Sequence, residues 1–125
     1  MWVKHNENPS GRNVGDCTVR AISTALGQPW ETTYTGLAVQ GFMTGDMPSA
    51  NHVWGAYIRK NGFQRAVIPD ECPDCYTVAD FAAEHPNGTY ILALSGHVVC
   101  IKDGDYYDTW DSGGEVPLYY WHKEE

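Results

Sequence analysis

The class of fold is decided by residues 89–110, TYILALSGHVVCIKDGDYYDTW. Two runs within this stretch are rich in β-branched and aromatic side chains, a composition typical of strands. Asp103-Gly104 follows the second run, and this dipeptide is typical of the turn in a two-residue β-hairpin. The chain after it is therefore predicted to return as an antiparallel strand. The predicted strands are residues 63–68, 89–94, 97–102, 105–110 and 116–121.

The chain before residue 86 has a helical pattern instead. Apolar residues recur at helical spacing, and residues suited to cap helices stand at the ends of the segments. Residues 1–15 are polar and are predicted to form an arm that leads to the first helix. Helices followed by an antiparallel sheet make an α+β fold, and 125 residues fit one domain, residues 1–125. The predicted helices are residues 18–26, residues 29–40 with Pro29 in the first turn, residues 50–61 capped by Ser49, and residues 78–84 capped by Thr77.

The composition is that of a packed protein that folds without a metal ion or a disulfide. Of its residues 42% are hydrophobic and 19% are charged, and a chain of this length buries roughly two-thirds of its unfolded surface. The net charge of −8 argues against binding of nucleic acid, because phosphate backbones are bound by clustered Lys and Arg. Residues 70–125 carry 12 acidic and 2 basic side chains, a net charge of −10. This excess predicts an acidic face. Three interpretations of that face are open: a solubilising surface, a mimic of DNA, or the docking site of a basic protein partner.

Free thiols are predicted for Cys17, Cys72, Cys75 and Cys100. No apolar run has the length of a signal peptide or a membrane helix, and thiols stay reduced in the cytoplasm. Cys72 and Cys75 have the spacing of half a zinc site, but no second pair completes the four ligands. We therefore expect a cytoplasmic protein without a cofactor and without contact to a membrane, and metal binding by this pair is left open.

Cys17 is the candidate nucleophile. It stands in GDCTVRAI, residues 15–22, at the first turn of a predicted helix. The N-terminus of a helix carries partial positive charge and unpaired N–H groups, which stabilise a thiolate and bind an oxyanion. Asp16 either caps this helix or opposes the thiolate, and Arg20 is expected to form a buried salt bridge. A buried structural cysteine is the alternative interpretation of Cys17.

A thiol nucleophile needs a base and a group that orients the base. His97 opens an apolar strand directly behind Gly96, so its ring is predicted to project from the end of the sheet toward the start of the helix. Asp108 lies near the position opposite His97 on the next strand and is the first choice for the orienting carboxylate. Asp111 is the second choice, and a histidine without a catalytic role is the alternative for His97.

These motifs resemble those of a known superfamily. GDCTVRAI is similar to the Asp-Gly-Asp-Cys-x-x-Arg-Ala-Ile/Leu box of ovarian-tumour-type deubiquitinases. More broadly, the C-terminal part resembles papain-like cysteine peptidases, in which Gly-His leads a strand and the next strand carries Asn-Ser-Trp. Asp108-Thr109-Trp110 is similar to that triplet. The order of cysteine helix, histidine strand and aspartate strand is also the order of that superfamily.

The resemblance implies a minimal papain-like fold, with N-terminal helices packed on a C-terminal antiparallel sheet. It implies that Cys17 is the nucleophile, His97 the general base and Asp108 the orienting residue. Trp110 would shield the hydrogen bond between the last two. Papain-like peptidases place an oxyanion-binding Gln six residues before the nucleophile, and Asn13 is the nearest side-chain amide here that could replace it.

The predicted function is therefore hydrolysis of an amide, peptide or isopeptide bond, through a thioacyl intermediate on Cys17. A protein or peptide is the expected substrate. One alternative keeps the fold and transfers the acyl group to another acceptor, as in an acyltransferase or a transglutaminase-like enzyme. The other is a non-catalytic interaction or inhibitor protein of the phage or mobile-element type, which presents the acidic face to its partner.

Overall fold

The computed structural model describes residues 1–68 and 76–123. These residues form helices and strands in a mixed order, and they confirm the predicted α+β class. The helices are α1 (Cys17–Leu26), α2 (Trp30–Thr44), α3 (Asn51–Lys60) and α4 (Val78–Glu84). The strands are β1 (Trp2–Lys4), β2 (Phe63–Val67), β3 (Thr89–Leu94), β4 (His97–Lys102), β5 (Asp105–Asp108) and β6 (Pro117–Lys123).

The described strands form one mixed sheet in the order β1-β5-β4-β3-β6-β2. Four of its pairings are antiparallel, as predicted, but β1 pairs with β5 in parallel. The predicted all-antiparallel sheet is therefore wrong at one edge, and the predicted arm is wrong at Trp2–Lys4. A three-residue strand leaves no periodic signal, and this one is fixed by distant contacts: Trp2 Nε1 and the His5 N–H donate to the Asp108 carbonyl at 3.1 and 3.0 Å.

The turn at Asp103-Gly104 sets the register of the strands that carry the candidate site. Both residues have a positive φ, 51° and 86°, which is the conformation of the two-residue turn whose twist matches that of the flanking strands. Lys102 therefore pairs with Asp105, and Cys100 pairs with Tyr107. The end of β5 is thus brought beside the start of β4.

Both faces of the sheet are buried. Successive residues of β3 and β4 alternate between two hydrophobic clusters, as the two-residue period of a strand requires. Ile91 belongs to the cluster beneath α1, α2 and α3, and Leu92 belongs to the cluster beneath α4. Within the described residues, the sheet therefore lies between α1, α2 and α3 on one face and α4 on the other.

The helices begin close to the predicted positions. Thr77 caps α4, since its side chain accepts a hydrogen bond from the Asp80 N–H and the Asp80 side chain accepts one from the Thr77 N–H. The predicted cap of α3 is wrong, because Ala50 precedes that helix and no side chain caps it. Among the described residues, no helix is long and apolar enough to cross a membrane.

Burial of both sheet faces can be tested with one truncation on each. Ile91→Ala and Leu92→Ala are each expected to lower the free energy of unfolding by about 2–5 kcal/mol, because each leaves a cavity in a packed cluster. Leu118→Ala in β6 is the control, since Leu118 is 60% exposed, and a change within about 0.5 kcal/mol is expected. Urea denaturation measures all three. A Leu92→Ala variant as stable as the wild type would contradict the buried second face.

Candidate active site

Cys17 is the first residue of α1. The helix packs on β4 through Ala21, Ile22 and Ala25, which share a cluster with Val98 and Cys100. This packing brings the start of α1 to the start of β4, where His97 lies. The N–H of Cys17 has no intrahelical acceptor, because the first four N–H groups of a helix lack one.

His97 and Asp108 form a short hydrogen bond. His97 Nε2 lies 2.6 Å from Asp108 Oδ2, and the side chains are only 13% and 1% exposed. The two residues are not a directly opposed pair, because the register of β4 and β5 places Asp108 on a diagonal from His97. The Trp110 ring lies 5.1 Å from the His97 ring and so covers one side of the imidazole.

The Cys17 thiol lies close enough to the His97 side chain for each group to shift the pKa of the other. Because Nε2 is bonded to Asp108, Nδ1 is the ring nitrogen left for the thiol. The Val98 N–H and the Thr18 side chain also lie close to the sulfur and favour its thiolate form, which lowers the pKa of Cys17. The structure therefore brings Cys17, His97 and Asp108 together in one connected group.

The Asp108 carboxylate has donors on both oxygens. Oδ2 accepts from His97 and from the Ser112 hydroxyl at 2.8 Å. Oδ1 accepts from the Thr109 N–H at 2.8 Å and from Arg20 at 3.1 Å. The Asp108 carbonyl also accepts from Trp2 and His5. Asp108 is therefore fixed by the N-terminal segment, α1, β4 and the turn after β5.

Arg20 forms the predicted buried salt bridge, and it bonds two carboxylates at once. Its Nε lies 2.8 Å from Asp16 Oδ1, and its Nη1 lies 3.1 Å from Asp108 Oδ1. Asp16 Oδ2 accepts from Trp30 Nε1 at 3.0 Å and from Asn8 Nδ2 at 3.3 Å. Asp16 occupies the N-cap position without capping α1 through its side chain. Its charge is instead balanced by Arg20.

Comparisons with models of known protein families, with curated proteins and with solved structures found no match.

The electrostatics of the site favour an ion pair. Burial favours the neutral thiol of Cys17, but the His97 hydrogen bond and charge outweigh it and lower the pKa of Cys17 below 9.0. Burial likewise favours neutral His97, but the hydrogen bonds with Asp108 and Cys17 raise the pKa of His97 to about 9. Cys100 is a contrast, because burial without such partners raises its pKa to about 12.

Two other predicted residues lie outside this connected group. Asp111 accepts from the Tyr106 hydroxyl at 2.6 Å and from the Gly113 N–H at 3.0 Å, so its carboxylate fixes the turn that follows β5. Asn13 is exposed in the loop before α1. Cys72 and Cys75 lie outside the described residues, and within those residues no group of His, Cys, Asp and Glu is arranged to hold a metal ion.

Sequence reasoning missed Ser112 and Trp2. Ser112 is fully buried, yet a serine after an Asp-Thr-Trp triplet carries no signal of its own. Trp2 lies in the predicted polar arm, although a tryptophan among polar residues indicates a buried contact. Both residues bond Asp108, one at the carboxylate and one at the carbonyl.

The roles of the two carboxylates can be separated by substitution. Asp108→Asn is expected to lower the pKa of His97 well below 9, because the charge that opposes the effect of burial is lost. Asp111→Asn is the matched control and is expected to leave the pKa of His97 at about 9. The pH dependence of the His97 ring resonances in NMR spectra measures both. An unchanged pKa in Asp108→Asn would contradict the orienting contact.

Proposed function

We propose that this protein is a papain-like cysteine hydrolase that cleaves an amide, peptide or isopeptide bond. The observation that carries the proposal is the connected group of Cys17, His97 and Asp108. A thiol at a helix N-terminus, beside an imidazole that a buried carboxylate orients, has the parts of an activated nucleophile. Support also comes from the order of cysteine helix, histidine strand and aspartate strand.

The active form pairs a Cys17 thiolate with a His97 imidazolium. The lowered pKa of Cys17 and the pKa of His97 of about 9 make this the main state between those two values. Below the pKa of Cys17 the nucleophile gains a proton. Above about pH 9 His97 loses the proton that the leaving group needs, so the rate of acylation falls on both sides.

In acylation the Cys17 thiolate attacks the carbonyl carbon of the substrate, and the carbonyl oxygen becomes an oxyanion. The N–H of Cys17 at the start of α1 is the backbone candidate for binding it, helped by the partial positive charge of the helix N-terminus. Asn13 is the side-chain candidate for a second donor. The C–N bond then breaks as His97 gives its Nδ1 proton to the leaving nitrogen, which departs as an amine.

In deacylation water attacks the thioester carbon. His97, now neutral, takes a proton from the water as the new C–O bond forms. The C–S bond breaks, the carboxylic acid leaves, and the thiolate–imidazolium pair is restored. Asp108 stays ionised throughout and holds the ring in place, with Arg20 balancing its charge.

Acyl transfer to Cys17 can be tested with p-nitrophenyl acetate, which needs no knowledge of the natural substrate. We expect a burst of nitrophenolate, an acetyl group on Cys17 in the intact mass spectrum, and slower turnover as water releases it. Cys17→Ala should lose the burst and the adduct. Cys100→Ala is the matched control and should keep both, because Cys100 is buried and its pKa is raised to about 12.

Two results would contradict the hydrolase. The first is a burst that persists in Cys17→Ala. The second is acetylation of Cys17 no faster than acetylation of free cysteine, which would favour the non-catalytic interaction protein. Release of the acetyl group only after an amine is added would favour the acyltransferase.

A further inference from the structure

A cavity of about 340 Å³ lies between α3 and the edge of the sheet that is formed by β6 and β2. One face of α3 lines it, on which Asn51, Gly55 and Arg59 follow each other at intervals of four residues. Arg65 of β2 lines the opposite side. We call this cavity the arginine pocket. None of the described residues that line it belongs to the candidate catalytic group.

Two aromatic rings of β6 position the arginines of the pocket. Tyr119 and Trp121 are two residues apart on the strand, so their side chains lie on the same face of the sheet, roughly 7 Å apart. The guanidinium carbon of Arg59 lies 5.1 Å from the centroid of the Trp121 ring, and that of Arg65 lies 4.2 Å from the centroid of the Tyr119 ring. Such contacts orient a guanidinium without neutralising its charge.

The two positive charges of the arginine pocket are not balanced by a carboxylate. Arg20 bonds two carboxylates, whereas Arg59 and Arg65 bond none in the part of the chain that the structure describes. The histidine of the pocket, His52, is paired with Asp46 at 3.0 Å. Both arginines are exposed and can be reached by a ligand. Because like charges repel each other, an anion between the two guanidinium groups stabilises them.

The pocket also contains a buried polar group without a partner. Trp121 is only 3% exposed, and its Nε1 N–H bonds none of the described residues. The Cζ2 side of the indole, which is also the side of Nε1, faces Gly55, where an added Cβ atom would lie 3.0 Å from Cζ2. Buried N–H donors are almost always paired in proteins. An acceptor oxygen bound in the pocket is the kind of partner that this donor lacks.

We propose that the arginine pocket binds a ligand through one oxyanion group, a carboxylate or a phosphate. Arg59 and Arg65 supply planar sets of N–H donors that match the oxygens of such a group. Asn51 adds a neutral donor, because its Oδ1 accepts from Trp54 Nε1 at 3.1 Å and its NH₂ group is left for the ligand. This binding function does not depend on hydrolysis at Cys17.

Titration with inorganic phosphate, followed by NMR spectroscopy, tests the site. The ionic strength is held constant with chloride, and the indole N–H resonance of Trp121 is the reporter. We expect a saturable shift with a midpoint at about millimolar phosphate, the affinity that two charge-assisted contacts support. A second titration uses the amide of N-acetylglutamate, which carries one carboxylate, and the amide of N-acetylglutamine is its uncharged control.

Variants of the arginines link the binding to the pocket. Arg59→Gln and Arg65→Gln each remove one guanidinium and are expected to weaken the binding of phosphate by at least about 10-fold. Lys60→Gln is the matched control, because it removes the same charge from the next residue of α3. The Lys60 ammonium lies outside the pocket and bonds Gln40 Oε1 at 2.8 Å. Binding by this variant should be nearly unchanged.

A carboxylate built into the pocket tests the same claim with both arginines kept. Ala56 lines the pocket, so Ala56→Glu supplies an internal anion that competes with phosphate. This variant should no longer bind phosphate. Ala56→Gln has a side chain of the same size without the charge, and it should still bind.

Three results would overturn the proposal. The first is binding of phosphate that is unchanged in Arg59→Gln and Arg65→Gln. The second is equal weakening in Lys60→Gln, which would show attraction to the net charge and not to the pocket. The third is a shift that is the same in chloride alone. Binding of phosphate without binding of the glutamate amide would support a phosphorylated ligand, and binding of both would support carboxylate ligands as well.

Discussion

The arrangement of the site depends on one buried carboxylate. Asp108 is 2% exposed, and its oxygens accept from His97, Ser112, Thr109 and Arg20. A buried carboxylate is stable only when such partners replace the water it has lost. The same contacts join α1, β4 and the turn after β5, and the Asp108 carbonyl joins β1 to them. Satisfying this one group therefore fixes the positions of several elements and, with them, the candidate catalytic residues.

Arg20 explains how the carboxylate can serve a histidine that changes its charge. The guanidinium is always protonated, and it lies between Asp16 and Asp108. Two carboxylates beside one guanidinium leave an excess of negative charge, which favours the imidazolium form of His97 despite its burial. When His97 gives its proton away, Arg20 still balances Asp108, so the carboxylate has no need to take up a proton. The raised pKa of His97 and the lowered pKa of Asp108 agree with this division of charge.

The sequence predicted the parts of the fold that depend on local signals. The positive-φ turn at Asp103-Gly104, the capping box at Thr77 and the β3 and β4 strands were all predictable, because each is encoded by neighbouring residues. The parallel strand β1 was not, since its pairing depends on the Asp108 carbonyl about a hundred residues away. For the site, the spacing of residues around the Asp103-Gly104 turn predicted that His97 lies near Asp108, but it left Asp111 as an alternative. The choice became clear only from the tertiary contacts of each carboxylate, and Ser112 could not be found at all. The cytoplasmic location and the docking of a basic partner on the acidic face stay predictions.

The central claim is that Cys17 and His97 form a thiolate–imidazolium pair, and it is tested most directly by titrating His97 before and after the thiol is capped. NMR spectra of the native protein and of protein S-methylthiolated at Cys17 give the pKa of His97 in each. The account predicts a pKa of about 9 in the native protein and a clearly lower value after capping, because the negative charge and the hydrogen bond of the thiolate are then lost. The same pKa in both forms, or a native value near 6.5, would contradict the ion pair.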